Sequence, residues 1–98
     1  MYDHDKKQYQ LMKDYIAEFE EGKLKLDQLI KVLYGLTKSL QTTEEEWVDE
    51  FQSEWWTLEQ VYAVALDRKE TTLNLDSQNL IYETIENMKN LLKKQDRF

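Results

Sequence analysis

Not one of the 98 residues is proline, and only Gly22 and Gly35 are glycine. Proline breaks helix interiors because it lacks the amide donor and clashes with the preceding turn. A chain without it is free to form long helices. A β-rich fold needs frequent Gly, Pro and Asn turns, and these are too scarce here. With 41 % hydrophobic residues, including three Trp, six Tyr and three Phe, there is apolar material for a real core. At this length one domain is expected, spanning residues 1–98.

Hydrophobic periodicity predicts four helices. The first covers about 5–20, with Met12, Tyr15, Ile16 and Phe19 on one stripe, and Gly22 supplies its stop. The second covers about 26–40, with Leu26, Leu29, Ile30, Leu33, Leu36 and Leu40 on its stripe. Gly35 lies inside that pattern at a cost of about 1 kcal/mol relative to Ala, so close helix approach or a kink would account for it. The third starts at Thr42 or Thr43, where Thr43 and Glu46 match a capping box, and continues to about Asp67. Its stripe, Trp47, Phe51, Trp55, Leu58, Tyr62 and Ala65, is the most regular and aromatic of the four, so this helix should be central. A polar connector at 68–74 leads to the fourth, with Asp76 as expected N-cap and Leu75 and Leu80 placed as a hydrophobic staple. Its stripe is Ile81, Ile85, Met88 and Leu92, with Leu91 beside it, and the charged tail at 93–98 is expected to fray. Short connections favour antiparallel neighbours, so the predicted fold is all-α, an up-down four-helix bundle.

The formal net charge of −7, from 20 acids and 13 bases, disfavours direct binding to nucleic acid and to anionic membranes. It favours encounter with a basic protein, although acidity also serves solubility alone. The absence of Cys excludes disulfides, thiolate zinc sites and Cys nucleophiles. The segment 1–7 is polar and lacks the apolar core of a signal peptide. No apolar run approaches the roughly 20 residues of a membrane span. The expected location is the cytoplasm.

Catalytic chemistry needs convergent reactive groups, and few are available. The single His, His4, lies near a terminus and is expected to be exposed and without a role, since a general base needs a fixed position. Asp3 and Asp5 beside it would hold metal only weakly. Glu-x-x-His, the ligand motif of di-iron bundles, is absent, as are Gly-rich phosphate loops. Ser39, Ser53 and Ser77 have no His partner. The expectation is a non-enzyme without catalytic, metal or cofactor site.

Charge patterning is the strongest signal outside the core. No Lys or Arg occurs from Ser39 to Asp67, while the same stretch holds Glu44, Glu45, Glu46, Asp49, Glu50, Glu54, Glu59 and Asp67. Like charges four apart, such as Glu46–Glu50 and Glu50–Glu54, weaken a helix by a few tenths of a kcal/mol. At about 100° per residue, Trp56 points away from the aromatic stripe, with Glu45, Asp49, Gln52, Glu59 and Gln60 near it. A Trp ringed by carboxylates and amides reads as a binding anchor with an acidic rim. The other reading makes Trp56 a core residue packed against the N-terminal segment.

The segments IAEFEEGKLKLDQLI, EWVDEFQSEWWTLEQVYAVALD and LIYETIENMKNLL, with the F-x-x-G-K-L turn at 19–24, together resemble small bacterial immunity proteins. The likeness is to colicin-like immunity proteins and to those of contact-dependent growth inhibition, and it covers about 15–92. The resemblance implies a cytoplasmic protein that binds a cognate toxin domain, such as a basic tRNase, one to one and occludes its active site. It transfers no individual binding residue. Two other functions stand beside it: a non-catalytic helical adaptor or self-assembling bundle, and a carboxylate-bridged metal enzyme.

Overall fold

The structure, a computed structural model, describes residues 3–68 and 74–95. It is all-α, with four helices: α1 (Asp3–Glu20), α2 (Leu26–Lys38), α3 (Glu45–Asp67) and α4 (Leu75–Lys94). Each helix packs along two others: α1 on α2 and α4, and α3 on α2 and α4. Across the diagonal, α1 and α3 meet through side chains in the core, where the rings of Tyr9 and Trp47 lie 5.5 Å apart. Neighbours run antiparallel. His4 at the start of α1 reaches the Ser39 carbonyl just past α2, and Trp47 at the start of α3 donates to the Leu91 carbonyl near the end of α4. This is the up-down four-helix bundle that the four stripes predict.

The core is built from those stripes. Met12 and Ile16 of α1, Leu29 and Leu33 of α2, Phe51 and Leu58 of α3, and Ile85, Met88 and Leu92 of α4 are all buried to within 2 %. Each such side chain contributes about 1.5–3 kcal/mol by leaving water. Trp47 stacks on Phe51, with ring centroids 5.0 Å apart. Tyr9 and Val61 also belong to this core although neither was on a predicted stripe. Trp55 and Tyr62 are only partly buried, since they flank the core on the α2 side of α3.

The helix ends show where local sequence decides and where it is overruled. Gly22 stops α1 as expected: its φ is +80°, and the Lys23 amide bonds back to the Glu18 carbonyl at 2.9 Å. That is the left-handed C-terminal turn which glycine adopts without a Cβ penalty. At α2 the Lys25 amide donates to the Gln28 side chain at 3.0 Å. Gly35 is continuous with α2, and a Cβ there would meet nothing within 4 Å, so close helix approach does not explain it. The Thr43–Glu46 capping box does not form. Glu44 is the N-cap of α3 without a side-chain bond, because the Thr43 hydroxyl is committed to Asp5 and Tyr9. At α4 the N-cap is Asn74 rather than Asp76: the Asn74 side chain accepts from the Ser77 amide at 2.8 Å. The helix therefore begins two residues earlier than expected. Leu75 becomes its first residue and is 70 % exposed, so the Leu75–Leu80 staple is not made. Most of the 68–74 connector and the end of the 93–98 tail lie outside the described residues.

Two polar clasps tie the ends together. Asp5, buried in the first turns of α1, receives the Gln41 amide at 3.0 Å, the Thr42 amide at 2.9 Å and the Thr43 hydroxyl at 2.7 Å. The Thr43 hydroxyl has a single proton, spent on Asp5, so the Tyr9 hydroxyl donates to it. Burial on its own would raise the Asp5 carboxyl, but the bonds from Thr43, Gln41 and Thr42 override it and hold the pKa at about 2. At the opposite end of α1, Lys89 of α4 bonds Glu20 and Glu86, each at 3.0 Å. His4, expected to be exposed and idle, is half-buried and bonded to the Ser39 carbonyl at 2.7 Å. Among the described residues, no buried side-chain polar atom lacks a hydrogen-bond partner.

Candidate protein-binding face

Trp56 is 56 % exposed, the largest apolar side chain presented by α3. The core reading, in which it packs against the N-terminal segment, does not hold. The stripe carried by Trp47, Phe51 and Leu58 turns inward, and Trp56 is a helical step of about 100° from its neighbour Trp55. It lines a groove between α2 and α3 with Tyr34, Thr37, Lys38, Gln52 and Trp55.

The six residues predicted to contact a partner all lie on α3, at i,i+3 or i,i+4 spacings that make them surface neighbours along the helix. Glu45, Asp49 and Gln60 are exposed, and Gln52 and Glu59 are half-buried. The structure divides them. Gln52 and Trp56 share the groove just described, and Glu59 lines its continuation. Glu45, Asp49 and Gln60 line neither stretch. Within the first stretch of the groove the neighbours of Trp56 are an amide, a hydroxyl, a lysine and two aromatic rings, and α2 supplies half of that wall.

The continuation of the groove is lined by Asp27, Ile30, Lys31 and Tyr34 of α2 and by Trp55, Glu59 and Tyr62 of α3. Tyr34 and Trp55 are in ring contact at 5.3 Å, and the Lys38 ammonium lies 5.4 Å from the Tyr34 ring. The Trp55 indole donates to the Ile30 carbonyl at 2.8 Å, which fixes the ring as the floor between the helices. Sequence reasoning missed α2's share entirely. The signal was there in Tyr34, a large aromatic off the Leu29–Leu33–Leu36 stripe and 49 % exposed.

Of the acids on α3, Glu54 faces α4 and accepts from the Asn87 amide at 3.1 Å. Glu45, Glu46, Asp49 and Glu50 remain exposed near the start of the helix, where its dipole favours negative charge. Among the described residues no group of three or more His, Asp or Glu side chains converges in a way that could hold a metal ion. Nor is any described helix long and apolar enough to cross a membrane. No family model, no curated protein and no solved structure matches the chain.

Proposed function

We propose that this chain is a cytoplasmic immunity protein that binds the basic nuclease domain of a cognate toxin one to one and occludes its active site. The observation that supports the reading is the face of α3: an exposed Trp56 on a helix that carries no Lys or Arg and has Glu45, Glu46, Asp49 and Glu50 exposed towards its start. An exposed Trp costs solubility and suits an interface anchor. The acids of that helix suit a basic cleft built to hold RNA phosphates. The resemblance of three segments to bacterial immunity proteins supplies the identity of the partner. Inhibition on this reading requires no reaction by the chain itself, only coverage of the cleft.

The experiment is co-expression with the toxin encoded next to the gene. Protection of the cells is expected, and Trp56→Ala should remove about 2 kcal/mol or more of binding while the circular dichroism spectrum stays helical. A fully helical Trp56→Ala variant that binds and protects like the parent would move the interface elsewhere.

Self-assembly is the second reading, and a different surface favours it. Leu66 at the end of α3 and Leu75 and Tyr82 in α4 are each 59–70 % exposed. Sedimentation showing a concentration-dependent dimer that Tyr82→Ser dissolves would support it.

A further inference from the structure

The stretch of the α2–α3 groove beyond Trp56 combines two things seldom left together without a partner. Asp27 and Glu59 are both half-buried in its lining, and neither has a hydrogen bond or ion pair. Lys31 follows Asp27 by four residues and lines the same groove, yet no ion pair joins them. Two carboxylates that no cation of the chain pairs with mark a place where a partner's cation would be welcome. The same stretch has the rings of Tyr34 and Trp55. The Trp55 indole N–H is already bonded to Ile30, so what it offers the groove is its π surface. At the other end of the wall the chain places a cation of its own, Lys38, over Tyr34.

We propose that this groove seats an arginine side chain of the protein partner, its guanidinium against Tyr34 and Trp55 and paired with Glu59, with Asp27 adding the second negative charge. Arginine is favoured over lysine because its planar cation stacks on rings and pairs with a carboxylate in a fork, whereas an ammonium gives up its water less readily. Charge complementarity selects a basic occupant, since this stretch is lined by two acids, Asp27 and Glu59, against one base, Lys31, on a chain of net charge −7. The proposal rests on the reading that the chain binds a basic protein, and it adds which side chain is recognised and where.

The test titrates the intact protein with a short peptide alternating Gly and Arg and with its Gly–Lys counterpart of equal length and charge, followed by tryptophan fluorescence. The Arg peptide should bind about fivefold or more tighter, as a desolvated cation–π contact allows. Glu59→Gln, at a side chain with no partner to lose, should bring the Arg peptide down to the level of the Lys peptide. Asp49→Asn, outside the groove, should weaken both peptides alike. Equal affinities for the two peptides, or an Arg preference that survives Glu59→Gln, would overturn the proposal. So would tighter binding of an uncharged leucine-rich helical peptide. Arg preference without any binding to the adjacent toxin leaves the groove assignment standing and removes the nuclease reading. Toxin binding with no Arg preference does the reverse.

Discussion

Asp5 shows most clearly what a single residue contributes and how little of it can be read locally. In the sequence it is one acid in a polar segment, with no visible partner. In the fold it is 3 % exposed and gathers Gln41, Thr42 and Thr43 from 36 to 38 positions away. Only the antiparallel pairing of α1 and α2 brings them together, so periodicity could not reveal the clasp. Its folded pKa lies at about 2 against an ordinary 3.8, a depressed value, so its stabilisation is fully present above the unfolded value and fades as pH falls from about 4 towards 2. The displacement corresponds to about 2 kcal/mol. Asp5→Asn should lower stability at neutral pH by about that amount and flatten the pH dependence between 2 and 4. Urea unfolding of both proteins across that range checks it, and parallel acid limbs would show that Asp5 is not the group responsible.

At the scale of the element, the stripes and their periods were legible, and the helix ends were legible only where no distant residue competed. Gly22 ends α1 by backbone conformation alone, which sequence shows directly. Thr43 has the right spacing for a cap but is drawn into the distant Asp5 clasp, whereas at α4 two local caps compete and Asn74, bonded to the Ser77 amide, starts the helix ahead of Asp76. The two glycines now separate into opposite cases. Gly22 holds φ +80°, so Gly22→Ala should destabilise by about 1–2 kcal/mol through left-handed strain. Gly35 lies in a helix with open space at the Cβ position, so Gly35→Ala should stabilise by about 1 kcal/mol. Thermal unfolding of the two variants should therefore move in opposite directions. A loss of stability in Gly35→Ala would point to a kink or an approach that the ideal Cβ position does not meet.

At the scale of the whole molecule, the bundle follows from four amphipathic helices with short links, whereas the binding face does not. A helical wheel places residues around one axis, and it correctly turned Trp56 outward. It could not set the rotation of α2 against α3, which brings Tyr34 and Lys38 beside Trp56, and it hides distance along the axis: Glu45 and Asp49 share the outer side of α3 with Trp56 but lie about 16 and 10 Å before it. The two kinds of residue should consequently act differently in binding. On the proposed function Trp56 should sit in the contact and govern dissociation, while exposed Glu45 and Asp49 should act through the field of a chain with net charge −7. Asp49→Lys reduces that charge to about −5 and places a base on a helix that has none. Stopped-flow association with the basic partner should slow several-fold at low salt, with little change in dissociation. The difference from the parent should shrink as ionic strength rises to 0.15 M and above, where the Debye length is about 8 Å. If Asp49→Lys instead speeds dissociation and its effect persists at high salt, Asp49 touches the partner directly, and the contact extends from the groove towards the start of α3.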